Sequence, residues 1–182
     1  PGGRSHRRGG SFRGHLRPLA TVLQPFFMGI LVSVVIGVAL TLPISSAAIC
    51  AALSLTGLAG GAAVAGCCAQ MVGFAVMSFR ENRWGGLVAQ GVGTSMLQMP
   101  NIVKNPKIWI PPTLASAITG PLATCLFKLE MNGAAVSSGM GTCGFVGQIG
   151  VYTGWLNDIA SGAKAAITPM DWVGLVLICF VL

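Results

Sequence analysis

GGLVAQGVGTSMLQMPNIVKNPKIWIPP, residues 85–112, is the stretch on which the fold turns. An apolar run dissolves here into glycine, uncharged amides, two lysines and paired prolines, with hydrophobic sequence on either side. Lipid offers a bare peptide group no hydrogen bond, so irregular backbone at membrane depth persists only inside protein or along a wet cavity. Broken helices of this kind turn backbone N–H and C=O groups toward a bound solute, and several transporter folds hold substrate at such breaks. The stretch predicts a solute pathway, provided that its neighbours are membrane helices.

Composition supports that condition. Of 182 residues, 53% are hydrophobic and only 8% charged, with a mean hydropathy of +0.77, whereas an ordinary soluble domain is about a quarter charged. The formal net charge is +7, but Arg4, Arg7, Arg8, Arg13 and Arg17 all precede the first apolar run. A basic tail beside a membrane span holds that end on the cytoplasmic side and touches anionic lipid, so nucleic acid is not expected as a partner. Residues 1–18 read as a disordered basic tail or linker, and 19–182 as a partial membrane domain whose last helix is cut short. His6 and His15 lie in the tail without a nearby Cys or carboxylate, which argues against a metal site.

Working outward from the break, residues 26–42 form a charge-free run just long enough to cross a bilayer. Gly29, Ser33 and Gly37 recur every fourth residue there, a small-residue stripe against which another helix packs closely. Residues 47–79 are too long for one straight crossing, so a tilt, a hairpin or a break near Gly57–Gly61 is expected. Gln70 is the strongly polar side chain of that tract and is expected to bond a neighbouring helix. Arg80-Glu81-Asn82-Arg83 closes the tract; two crossings after the tail, it is expected on the tail's side. Residues 113–127 form a further span, kinked by Gly120-Pro121. Lys128 and Glu130 mark an exit to water, as do Asn157-Asp158, Lys164 and Asp171. The glycine-laden run 131–148 is too polar for a span and too apolar for a free loop. It reads as a second re-entrant element facing the first.

The fold class expected is thus all-α, a polytopic membrane helical bundle with broken or re-entrant segments. Its chemistry is neutral. Gln90, Thr94, Ser95, Gln98 and Asn101 supply donors and acceptors without charge, an inventory suited to a polyhydroxylated solute. Glu81 reads either as a solvated anchor or as a carboxylate for hydroxyls or protons. The six cysteines have no CxxC spacing and no histidine partner, and act as small hydrophobes. No Ser-His-Asp set, paired carboxylates, phosphate-cradling motif or metal cluster is present. No catalytic residue, metal or cofactor is expected.

Four strings carry a resemblance: LTLPISSAAI (40–49), GCCAQMVGFAV (66–76), SFRENRWGGLVAQGVGTSMLQMPNIVKNPKIWIPP (78–112) and GMGTCGFVGQIG (139–150). Together they are similar to the EIIC membrane subunits of the bacterial phosphotransferase system (PTS), in the branch called PfoR-like or the second EIIC group. The resemblance implies a multi-pass inner-membrane sugar permease, here a fragment, without catalytic residues of its own. Its implied partners are a sugar-like small molecule and soluble EIIA/EIIB-like carriers, which donate the phosphate; a homodimer is expected. A membrane-embedded regulator that senses a solute without moving it is the alternative. Carried onto matching positions, the pathway candidates are Glu81, Asn82, Gln90, Thr94, Gln98, Asn101, Gly139, Gly141, Thr142 and Gln148.

Overall fold

The computed structural model describes residues 10–181, and they are all-α, with one isolated antiparallel bridge between Gly57 and Met131. Helix α1 spans Gly10–Thr41. It begins inside the stretch expected to be a disordered tail, so 10–18 are helical, while 1–9 lie outside the described residues. That segment still holds Gly10, Ser11, Gly14 and Pro18, but the apolar helix after it supplies a nucleus from which turns propagate backward.

The small-residue stripe of α1 does what its spacing predicts. A Cβ added to Gly29 would meet Gly120 and Thr124, and one added to Gly37 would meet Gly66 and Gln70. Helices α3 (Gly57–Val88) and α5 (Ile110–Pro121) therefore approach α1 at backbone distance. Ser33 seals the three-way contact by donating to the Ser116 carbonyl at 2.6 Å, and Ser116 in turn reaches the Gly66 carbonyl at 3.3 Å. The outward faces carry Phe27, Leu31 and Val35 on α1 and Ile110, Leu114 and Ile118 on α5, all exposed and four residues apart. Small residues inward with large apolar residues outward is the pattern of helices packed in lipid.

Between α1 and α3 the chain makes a short return. Helix α2 (Ser46–Ala52) starts on the Ser45 cap, whose hydroxyl accepts from the Ala48 N–H, and ends where Ser54 takes a left-handed φ of 49°. The break in the second apolar tract thus falls at residues 53–56, ahead of Gly57–Gly61. Cys50 on α2 packs with Ile36, Leu40, Ala63, Cys67 and Met71. Because α2 carries the chain back, α1 and α3 run parallel, with Ser33 beside Gly66 and Thr41 beside Gln70. This corrects the expected topology. The start of α1 and the Arg80–Arg83 cluster sit at opposite ends of the bundle.

Helix α3 reverses at Arg83, which adopts φ 48° and ψ −138°. The arm beyond it folds back on the helix: Gly86 lies against Ser78 and Asn82, and Gly91 against Ala75. In a straight helix Gly91 and Ala75 would stand about 24 Å apart. The reversal is pinned by Phe79 and Trp84, stacked edge to face at 5.5 Å. The arm unwinds through a π turn at Ala89–Gly93, extended Thr94, a 3₁₀ turn at Ser95–Gln98, helix α4 (Met99–Lys104) and another 3₁₀ turn at Pro106–Trp109. The expected break over 85–112 is present between Ala89 and Trp109, with the short α4 inside it.

Helix α5 descends antiparallel to α1 and passes into a π turn at Leu122–Leu126 directly after Pro121. Thr124 satisfies carbonyls there, reaching those of Pro25 at 3.0 Å and of Gly120 and Pro121 at 3.3 Å each. Helix α6 (Ala135–Ser138), a glycine-rich turn and helix α7 (Val146–Ala160) form a hairpin. Helix α8 (Pro169–Val176) continues as a π turn to Val181. Among the described residues, two helical tracts are long and apolar enough to cross a membrane, Gln24–Thr41 and Gly57–Gly93.

Candidate functional site

The straight part of α3, residues 57–82, is roughly 39 Å long at 1.5 Å per residue, about the thickness of a bilayer with its interfaces. Its contacts fix the depth of everything packed on it. The hairpin of α6 and α7 leaves the Gly57 end, where Met131 and Gly57 exchange two backbone hydrogen bonds of 3.0 Å. It penetrates as far as Gly141, which lies against Cys67 and Cys68, and returns past Gly154, which lies against Asn132. Gly141 has φ +54° and no room for a Cβ, so glycine is required at the tip. The arm after Arg83 comes from the opposite end and reaches Gly91.

The two elements meet tip to tip. The Thr142 hydroxyl, 1% exposed, donates to the Gly91 carbonyl and lies 3.5 Å from the Met71 sulfur. Met71 stands near the middle of α3. The junction is uncharged.

Four of the ten predicted pathway residues lie at or beside this junction. Gln90 precedes the bonded carbonyl and is buried, with no hydrogen-bond partner on its amide oxygen. Gly141 and Thr142 make the opposing tip. Gln148, one α7 turn away, points its amide nitrogen at the Cys68 sulfur at 3.4 Å, and its buried oxygen is unpartnered. Gly139 packs on α2, where its carbonyl accepts from Ser46 at 2.7 Å. Thr94 caps the turn at Met96, and Gln98 accepts from Asn101 at 2.8 Å, so these three residues organise the broken segment itself. Glu81 and Asn82 are exposed at the reversal and stand apart from the junction.

Sequence reasoning singled out Gln70 but not the network around it. Its side chain is fully buried, and its amide nitrogen donates to the Thr113 hydroxyl at 3.3 Å while Thr41 approaches its oxygen at 3.5 Å. The Thr41 hydroxyl also meets that of Ser95 at 3.1 Å. One amide thus joins α1, α3, α5 and the broken segment, the interhelical role expected of it. The signal was available as hydroxyls at the ends of apolar runs, but nothing in the sequence paired them.

Away from the junction, a cavity of about 260 Å³ lies at the Gly57 end of α3, walled by residues 127–132, 155–164 and 171–174. Lys164 pairs there with Asp171 at 2.6 Å and sits 5.2 Å from the Trp155 ring centre. Burial raises the Asp171 carboxyl most strongly of any single influence. The bonds from Lys164 and from the Thr168 N–H and hydroxyl together outweigh it and hold the group below its ordinary value. Two further cavities, of about 340 and 330 Å³, are apolar grooves beside Trp109 and beside Pro111-Pro112. Among the described residues no cluster of His, Cys, Asp and Glu is arranged to hold a metal.

The family of the phosphotransferase system EIIC matches residues 18–182. No curated protein and no solved structure matches the chain. A match over nearly the whole length, on a helical chain with long apolar helices and a membrane-type arrangement of small and large residues, carries one conclusion: the chain belongs to the EIIC family, the membrane permease subunits of the sugar phosphotransferase system.

Proposed function

We propose that the chain passes a neutral, polyhydroxylated, sugar-like solute across the bacterial inner membrane through the seam between its two broken elements. The observation that carries the reading is the contact of Thr142 with Gly91 near the middle of α3, flanked by the unpartnered amide oxygens of Gln90 and Gln148. Buried polar atoms without a partner are rare in folded proteins. In a pathway they are the acceptors that solute hydroxyls satisfy in transit, and their lack of charge suits a neutral cargo. Phosphate then comes from EIIA/EIIB-like carriers, the partners with which subunits of this family work. Multi-pass insertion, a homodimer and contact of the basic tail with anionic lipid complete the proposal. All ten predicted residues remain its candidates, Glu81 and Asn82 at the arm's reversal included.

Uptake of labelled monosaccharides into vesicles bearing the protein, with and without the phosphoryl carriers, tests it. Carrier-dependent accumulation of one neutral sugar is expected. No uptake of any sugar in a broad panel overturns the permease role. If deletion changes transcription while uptake stays the same, the solute-sensing alternative replaces it.

A further inference from the structure

Three of the chain's four acidic residues, Glu130, Asp158 and Asp171, line the cavity at the Gly57 end of α3, together with Lys128 and Lys164. They come from three separate elements, the loop after Leu126, the last turn of α7 and the first turn of α8, and the wall that carries Lys128 and Glu130 is fixed in place. Met131 is bridged to Gly57, and a Cβ on Gly61 would lie 1.7 Å from the Leu129 carbonyl oxygen. Lys128 itself is held at φ 44°, a conformation that persists only where the surroundings enforce it. The opposite wall is the buried Trp155, braced edge to face by Trp172 at 5.5 Å.

The partners already made define what the cavity has left to offer. Lys164 and Asp171 satisfy one another. Asn132 donates to Asp158 at 2.8 Å and only distantly to Glu130 at 3.5 Å. A carboxylate has about four acceptor positions, so Glu130 and Asp158 keep most of theirs, and Lys128 forms no ion pair among the described residues. Two lysines and three carboxylates leave the lining with one net negative charge. Phosphate is repelled by such a lining, whereas hydroxyl groups find acceptors on two carboxylates, donors on Lys128, and aromatic walls in Trp155 and Phe127 for the apolar face of a ring. The volume is slightly below the roughly 300–1,000 Å³ of drug-sized clefts, enough for one ring.

From these observations we infer that the cavity is a second solute site, separate from the mid-depth junction, that binds a single-ring polyol in its unphosphorylated form. The ligand class rests on the permease reading. The site itself rests on the geometry of the cavity. Occupied, it concentrates solute at one mouth of the bundle; discriminating against the phosphorylated product, it keeps that product from competing at the same mouth.

Equilibrium titration of the purified full chain in nanodiscs, followed by tryptophan emission, tests the inference. The probes are glucose, galactose, mannose and mannitol, with maltose, glucose 6-phosphate and choline as size, anion and cation controls. Saturable change with at least one single-ring polyol is expected, weakened about tenfold or more in D158N and in the surface variant E130Q, each of which degrades an acceptor. Glucose 6-phosphate, maltose and choline are expected to bind at least tenfold more weakly than that polyol. Lack of a saturable signal from every polyol, equal binding of a control, or unchanged affinity in both variants overturns the site. Uptake measured in parallel separates the two claims: uptake intact in variants whose polyol binding is unchanged sinks the cavity alone, and polyol binding without uptake by any chain sinks the permease role alone.

Discussion

The junction and the mouth cavity are both polar places in an apolar chain, yet they are built from opposite materials. At the junction, hydroxyls, amides and peptide groups meet at the centre of α3 with no charge present; at the mouth, two lysines and three carboxylates crowd around tryptophan. The difference follows depth. An ion taken out of water loses several kcal/mol of hydration even after relaxation, whereas a hydroxyl that bonds a carbonyl loses little. Neutral groups are what the interior tolerates, and charge collects where the loops reach water.

The sharpest way to break this contrast is at the glycines that shape each place. Gly141→Ala forces a Cβ at φ +54° and to within 2.7 Å of Cys67, combining backbone strain with overpacking; a loss of about 2–5 kcal/mol is expected in chemical unfolding. Gly162, in the loop beside the mouth, has φ +77° and nothing within 4 Å, so Gly162→Ala carries only the strain, about 1–2 kcal/mol. Equal losses would show that the tip of the hairpin is not packed as described. A second comparison removes one hydroxyl. Thr142→Val leaves the Gly91 carbonyl without its donor, at about 1–3 kcal/mol, and faster amide exchange over residues 84–93 with unchanged exchange over α7 is the expected signature.

Gln70→Leu sharpens the picture of the network above the junction. Thr41 and Thr113 each keep another acceptor, the carbonyls of Gly37 and Trp109, so a loss of only about 1 kcal/mol in thermal unfolding is expected, in line with interhelical bonds in membranes. The smallest effect belongs to the mouth. Lys164 and Asp171 are partly exposed, and Lys164→Met should alter stability by about 1 kcal/mol or less. Because the Asp171 carboxyl is held below its ordinary value, its contribution is fully present above the usual carboxylate range near pH 4. It is lost as pH falls through the lowered value. Asp171→Asn should flatten that acid limb in a pH series of melting temperatures.

Much of this was legible in the residues. The charge-free run at 26–42 and its small-residue stripe announce α1 and its close packing, and the glycines, amides and prolines of 85–112 announce a break. The resemblance to EIIC subunits, carried by four strings, agrees with the family match. What stayed hidden depends on single dihedrals and on tertiary return. Nothing marks Arg83 as a residue of positive φ, for arginine favours helix, so the reversal that turns 84–93 back on α3 has no local signal. The seven residues of α2 merge by composition with the tract that follows, which conceals the parallel course of α1 and α3. The mouth cavity joins residues 128–132 with 158–171, and separations of that size are closed only by helices whose packing the sequence does not state. At the level of the site, Gln90 and Thr142 were both named as candidates, but their neighbourhood is a property of two hairpins inserted from opposite ends.

That opposed insertion has an energetic corollary. The hydroxyl-to-carbonyl link between the tips is worth on the order of 1 kcal/mol, hardly more than ambient agitation supplies. Parting the tips breaks no hydrogen bond inside α1, α3 or α5, so the link between the two hairpins and the scaffold around them stand on separate bonds.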